Sequence, residues 1–393
     1  MNILLIDDEP FSLRLLQRQL SNAGYEKVRG FEYGRDALKA LQARDATPDV
    51  IICDLQMPDV DGIEMLRHLA HARFGGGLLL ISGEDARVLQ TAQRLAQAHQ
   101  LNVLGALQKP VDPRQLAALI KQHHARVPDL SSTPRPIYGA DQLRRALQEQ
   151  ELVNFYQPKV DIGSSTISGV ETLVRWRHPT DGLVVPDQFI STAEEHGLID
   201  ALTKTVMQQA LTQMKAWRSE GMNLQVAVNV SMDNLVNLEF PDWLADTVRN
   251  AGVQARNLLL EVTESRLIRN RLFALDILTR LRLKGISLSI DDFGTGFSSL
   301  AQLRDLPFDE LKIDQSFVHG AWRDASLRTF LEGSCNIGRQ IGLKIVAEGV
   351  EDHADWQFLR EVDCDLAQGY FIARPMPAEQ LTGWITDWTR LPN

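Results

Sequence analysis

Residues 286–294 read ISLSIDDFG, an apolar run that ends on two adjacent aspartates, Asp291 and Asp292. An unpaired carboxylate on a buried strand costs several kcal/mol or shifts its pKa until it neutralises, so packing alone has no use for such an ending. Five further runs beyond residue 139 close in the same manner. VETLVRW (170–176) carries Glu171, LQVAVNVS (224–231) Asn229, LLLEVTES (258–265) Glu261, DELKID (309–314) Lys312, and LKIVAEGVE (343–351) Glu348 and Glu351. Repetition from strand to strand implies one shared site, and strands that end in chemistry mark a barrel opening onto one functional face.

With FYQPKV (155–160) and AQGYFIA (367–373) added, eight strand candidates can be counted, and helical segments such as residues 190–217 fill most gaps between them. A (β/α)8 barrel over 139–393 follows. Its first two strands are joined only by DIGSSTISG (161–169), too short for the dozen or so residues of a parallel crossover. The first strand is therefore expected to run antiparallel. Gln157, early in that reversed strand, then lies at the same end as the late residues of the other strands and becomes a candidate ligand contact.

Ahead of the barrel, NILLID, VRGFE, DVIICD, GLLLIS and VLGAL alternate with amphipathic segments. This predicts an α/β domain with a doubly wound, flavodoxin-like parallel sheet over residues 1–124, functional at its strand carboxyl ends. Asp7 and Asp8 close the first strand, Asp54 the third and Ser82 the fourth, while Lys109 follows the fifth. VPDLSSTPRPIY (127–138), with three prolines and no periodicity, places a linker at 125–138.

Composition narrows the function. A net charge of −10 disfavours general nucleic-acid binding, so no DNA partner is expected, and a phosphate-bearing substrate would need metal ions. Three cysteines without metal-ligand spacing suit a reducing cytoplasm. No apolar stretch approaches the ~20 residues needed to span a bilayer, and the N-terminus turns acidic too early for a signal peptide. Cytoplasmic localisation without membrane insertion is the expectation.

Glu171, Asn229, Glu261 and Asp291 offer oxygen ligands suited to one Mg²⁺ or Mn²⁺, and Asp292 can bind a second ion with Asp291 bridging. Two such ions ~3.5 to 4 Å apart assist phosphodiester displacement. Glu348 could take the proton of the attacking water or complete the second ion's shell. Lys312 could position that water or offset the anionic cluster, and Asp314, which ends the DELKID strand, is grouped with the supporting residues. In the first domain Asp7, Asp8 and Asp54 suit one Mg²⁺, Asp54 can attack a phosphoryl group, Lys109 can neutralise developing charge, and the Ser82 hydroxyl can bond the new phosphate.

IDDE, DLQMPDVDG, LLLISGE and QKP together resemble the receiver domains of two-component response regulators. The resemblance implies that Asp54 accepts a phosphoryl group from a sensor histidine kinase. Ala106 stands where many receivers place a switch aromatic. YQPKV, ETLVRW, NVS, EVTES, DDFGTGFSSL, LKID, AEGVE and AQGY resemble the EAL family of cyclic-di-GMP phosphodiesterases, with Thr172 replacing the signature alanine and Phe297 a common tyrosine. That resemblance implies metal binding by Glu171, Asn229, Glu261, Asp291 and Asp292, and water activation by Lys312 and Glu348. It further implies site support by Glu351 and Gln368, substrate contact by Gln157 and Arg175, and anchoring of the 291–300 loop by Glu264. Hydrolysis of cyclic di-GMP to linear pGpG is the implied reaction, in a homodimer or higher oligomer. The competing reading is a silent cyclic-di-GMP-binding module that signals through a protein partner, although degenerate members usually lack a metal ligand and here each is present.

Overall fold

The structure, a computed structural model, describes all residues except 43–47, 73, 84–85, 100, 127–137, 264–270, 296–299 and 390–393. The chain divides into two compact units, Met1–Pro134 and Arg135–Asn393.

In the first unit β1 (Asn2–Ile6), β2 (Lys27–Phe31), β3 (Val50–Asp54), β4 (Gly77–Ser82) and β5 (Asn102–Gln108) form a parallel sheet in the order β2-β1-β3-β4-β5. Helices α1 (Pro10–Asn22), α2 (Gly34–Gln42), α3 (Gly62–His71), α4 (Ala86–Ala98) and α5 (Pro113–Arg126) connect and follow the strands. Every residue of β3 and β4 is buried, which is why these central strands read as continuous apolar runs. Alternation along the strands feeds two cores. Leu4, Ile6, Ile51 and Leu80 pack in one, and Ile3, Leu5, Ile52 and Leu79 in the other. This is the doubly wound arrangement expected from the sequence.

The second unit opens with α6 (Ala140–Gln148). Its strands are β6 (Leu152–Asp161), β7 (Ile167–His178), β8 (Gly182–Val184), β9 (Gln225–Asn229), β10 (Leu258–Thr263), β11 (Ser287–Phe293), β12 (Glu310–Ile313), β13 (Lys344–Ala347) and β14 (Leu366–Ala367). They follow the order β6-β14-β13-β12-β11-β10-β9-β7-β8, and a β6–β7 pairing closes the ring around eight of them. β6 is antiparallel to both neighbours, opposing Gln157 to Glu171 and Val160 to Ala367; the remaining barrel pairs are parallel. The barrel with a reversed first strand is thus the one the short 161–169 connection demanded. Helices α7 (Ile190–Glu195), α8 (Ile199–Ser219), α9 (Phe240–Ala251), α10 (Arg271–Leu283), α11 (Leu300–Asp305), α12 (Gln315–Val318), α13 (Ala325–Gln340), α14 (His353–Glu361) and α15 (Ala378–Trp388) complete the unit. The longest, α8, buries Leu202, Val206, Ala210, Met214 and Trp217, the three-to-four spacing of a helix laid on a sheet.

Three expectations need correction. AQGYFIA is not a strand over its length: only Ala367 and the preceding Leu366 pair in the sheet. The cause is Gly369, where an added Cβ would come within 2.2 Å of Val350 N and O. There the chain turns around Val350, whose N–H donates to Gln368 O and whose carbonyl accepts from Phe371 N. The expected linker begins too early, because α5 continues to Arg126. It also ends too late: Tyr138 is buried, stacks obliquely on Trp176 and donates its hydroxyl to Asp181 at 2.7 Å.

Gly369→Ala would force apart the segments that carry Glu348 and Gln368, and overpacking of this kind costs about 1–3 kcal/mol. A lowered thermal unfolding midpoint of the second unit, measured by calorimetry, is expected; an unchanged midpoint would contradict the close approach.

Candidate metal and catalytic centre

The barrel's polar side chains meet at one end. Lys312, on β12, is only 1% exposed. Its ammonium lies 2.8 Å from Glu348 Oε1, 3.0 Å from Asp291 Oδ1, and 3.4 Å from both Glu171 Oε2 and Glu261 Oε2. A lysine snorkelling on the rim would keep its head in water; this one is enclosed by carboxylates from four strands or strand ends. Asn229 donates to Glu171 Oε1 at 2.8 Å. Gln368 donates to Glu171 Oε2 at 2.6 Å and to Gln157 Oε1 at 3.1 Å, and Gln157 donates to the Ala373 carbonyl.

β11 brings two consecutive aspartates to this cluster. Side chains of a regular strand alternate between faces, so Asp291 and Asp292 should diverge. Instead, Asp292 adopts a left-handed φ of 57°, and the β11–β12 register slips between Ile290 and Phe293. Such an irregularity re-aims side chains next to functional sites. Ligand oxygens of Asp291, Asp292 and Glu348 consequently lie within 4.8 Å of one another.

Among the described residues, the sequence reading missed Lys159 and Glu310. Lys159 Nζ lies 3.0 Å from Glu261 Oε1 and 2.9 Å from Glu310 Oε1, with all three residues buried. The signal was available: Lys159 stands two residues from Gln157 and Glu310 two from Lys312, hence on the same strand faces. Arg175, four residues along β7 from Glu171, is half-buried and donates to the Val174 carbonyl. Asp314 caps α12 by accepting from Ser316 N, and with the exposed Glu351 it lines a cavity of about 510 Å³ beside Gln157, Glu171, Asp292 and Glu348. Glu264 and Phe297 lie outside the described residues.

Charge balance tests whether these groups suit cations. Six carboxylates, those of Glu171, Glu261, Asp291, Asp292, Glu310 and Glu348, face two ammonium groups, Lys159 and Lys312. With all six ionised the excess is four negative charges, which is what two divalent cations carry. The titration behaviour agrees. Burial, reinforced by Glu171, pushes Glu261 up to about 8 in spite of both lysines. Burial and Asp291 raise Asp292 to about 6, and burial raises Glu348 well above the usual carboxylate range. Burial opposes ionisation of Glu171 too, but Lys312 and Gln368 outweigh it and hold this carboxyl at about 2. Glu261 Oε2 has no hydrogen bond, and Lys312 Nζ is 3.4 Å away. An all-oxygen donor set with surplus negative charge fits hard divalent ions.

The first unit repeats this on a smaller scale. Asp54 is 3% exposed; Lys109 Nζ contacts its Oδ2 at 2.5 Å and Asp7 Oδ2 at 2.9 Å. Asp7, Asp8 and Asp54 bring ligand oxygens within 4.8 Å of one another. Three carboxylates against one ammonium leave the charge of one divalent ion. Burial raises the Asp54 pKa although Lys109 and Gln56 N act against it. Ser82 is fully buried, with its carbonyl bonded by Lys109 N. Ser12, absent from the sequence reading, donates to Asp7 Oδ2 at 2.5 Å.

A family model described as EAL domain matches residues 140–375, and one described as response regulator receiver domain matches residues 3–121. The chain is 30% identical over 391 residues to the cyclic di-GMP phosphodiesterase RocR of Pseudomonas aeruginosa, spanning 98% of this chain and 99% of that protein. It is 43% identical over 245 residues to the bifunctional diguanylate cyclase/cyclic di-GMP phosphodiesterase MucR of the same organism, spanning 61% of this chain and 35% of that protein. The solved PaMucR phosphodiesterase, in complex with c-di-GMP, matches with a TM-score of 0.59 at 41% identity, covering 61% of this chain and 98% of that one.

The shifted carboxyls set a pH dependence. Glu261, raised from 4.5 to about 8, contributes stability that is complete below about pH 4.5 and lost as pH rises toward 8. Asp292 acts in the same sense between 3.8 and about 6. Glu171 acts oppositely, its contribution being present above 4.5 and lost as pH falls through about 2. Between roughly pH 5 and 8 the metal-free barrel should therefore melt at progressively lower temperature, and saturating Mn²⁺, which favours ionised ligands, should remove that decline. A metal-free midpoint that rises across this interval would contradict the assignment.

Proposed function

The chain belongs to the EAL domain family, joined to a response regulator receiver domain, and from that premise we propose that it hydrolyses cyclic di-GMP to linear pGpG under control of Asp54 phosphorylation. The observation that carries this reading is the buried Lys312, enclosed by four carboxylates of which two, Glu171 and Glu348, line a cavity of about 510 Å³. A second, more apolar cavity of about 430 Å³ shares Leu173, Asp187 and Asp292 with it.

Glu171, Asn229, Glu261, Asp291 and Asp292 are the proposed ligands of two Mg²⁺ or Mn²⁺ ions. Those ions, when bound, supply Lewis acidity toward the phosphodiester and the attacking water. The chain's own groups do the rest. Glu348, in which burial opposes the ionised form and the Lys312 ammonium 2.8 Å away favours it, accepts the water's proton or completes the second ion's shell. Lys312 fixes Glu348 and Asp291 relative to each other. Gln368 fixes Glu171 and Gln157, Arg175 meets a phosphate, and Asp314 and Glu351 support the wall. The intact ligand set favours catalysis over a silent binding module.

For the receiver we propose one Mg²⁺ held by Asp7, Asp8 and Asp54, phosphoryl transfer from a sensor histidine kinase to Asp54, and sensing of the phosphate by Ser82 and Lys109. Coupling of this event to the barrel requires a differential free energy between states, typically ~1–3 kcal/mol. Among the described residues no helix is long and apolar enough to cross a membrane. Action in the cytoplasm as a homodimer or higher oligomer is part of the proposal.

Incubation with cyclic di-GMP and Mg²⁺ or Mn²⁺ should yield pGpG by chromatography, and Glu171→Ala should abolish the product. A tight complex without turnover in either metal would favour the binding module, and retained Glu171→Ala activity would remove that residue from the metal shell. A small phosphodonor should change the wild-type rate but not that of Asp54→Asn; equal rates in all four conditions would contradict phosphorylation control.

A further inference from the structure

The hydrolysis described above gives Lys159 no task, yet its position is costly. Barrel interiors are ordinarily filled by layers of branched apolar side chains, and a buried ion pair is often no more stable than an apolar pair of similar volume. Lys159 is nonetheless 2% exposed inside the barrel, between Glu261 on β10 and Glu310 on β12. Its ammonium takes one oxygen from each, Glu261 Oε1 at 3.0 Å and Glu310 Oε1 at 2.9 Å. The two oxygens of Glu261 therefore differ. Oε1 is tied to a donor from the reversed strand β6, whereas Oε2 lacks a hydrogen bond and stands 3.4 Å from Lys312, among Glu171, Asp291 and Glu348.

We propose that Lys159 is a positioning residue for metal binding: by holding Oε1 of Glu261 it presents Oε2 as a single, fixed ligand atom, while Glu310 cancels its charge. Without Glu310 the ammonium would repel the cations it helps to seat; with it, the pair is electrically neutral toward the site. Without Lys159 the Glu261 carboxylate could rotate and offer both oxygens, or neither, to an ion. Groups that hydrogen-bond a ligating carboxylate tune affinity in this way. The inference rests on the reading of Glu261 as a ligand, which Glu261→Gln tests separately.

The test is Mn²⁺ affinity of the full-length protein, read from the electron paramagnetic resonance of free Mn²⁺, with folding checked by circular dichroism. Lys159→Met alone would strand Glu310, so two double variants of equal charge are compared. Lys159→Met/Glu310→Gln removes the donor; Lys159→Gln/Glu310→Gln replaces it with a neutral amide. The first should bind Mn²⁺ roughly 10- to 100-fold more weakly, and the second should recover most of that loss. At saturating Mn²⁺ the KM for cyclic di-GMP should stay near wild type, because Lys159 does not touch substrate. Equal Mn²⁺ affinities of the two folded double variants, whether retained or lost together, would overturn the proposal. If Glu261→Gln binds Mn²⁺ as wild type does, the ligand reading itself fails; if it loses binding while both double variants keep it, only the role of Lys159 fails.

Discussion

Negative charge that the protein cannot neutralise by itself governs both units. In the barrel, Lys312 touches four carboxylates and Lys159 two, Glu261 being shared, and Asp292 stands beside Asp291 and Glu348. Isolated buried carboxylates are expensive, and burial indeed drives Glu261, Asp292 and Glu348 toward the protonated form. An arrangement of this kind is poorly explained as a stability device. It is well explained as a donor set suited to divalent cations, with the lysines setting geometry rather than completing neutrality.

The receiver unit follows the same rule with a different sheet. Its carboxylates sit at the carboxyl ends of β1 and β3, where doubly wound sheets bind ligands, and Lys109 reaches both Asp7 and Asp54. The surplus there corresponds to one divalent ion instead of two. Placing chemistry at strand ends lets each unit build an anionic pocket while the apolar middle of every strand continues to pack. β3 shows this directly: Val50 to Cys53 are core, and Asp54 is the carboxylate that Lys109 contacts.

Much of this was legible in the sequence because a buried strand that ends on a carboxylate violates its own packing logic. The reversed first strand was equally legible, since nine residues between FYQPKV and VETLVRW cannot make a parallel crossover. Other features depend on backbone detail that residue types do not encode. That Asp291 and Asp292 serve one site requires the positive φ at Asp292 and the register slip beside it. The truncation of β14 arises from the close approach of Gly369 to Val350, and glycine in AQGY signals only that a turn is permitted. Lys159 escaped notice for a different reason. In YQPKV a lysine reads as an exposed strand residue, although its two-residue spacing from Gln157 puts both on one strand face.

The central claim is that the oxygen donors of the barrel mouth constitute one two-cation site. Anomalous diffraction at the manganese edge, from crystals of the full-length protein grown with Mn²⁺, tests it most directly. Two peaks are predicted, within coordination distance of Glu171, Asn229, Glu261, Asp291 and Asp292, with Asp291 touching both. The absence of manganese among these side chains, or peaks coordinated elsewhere in the barrel, would contradict the account.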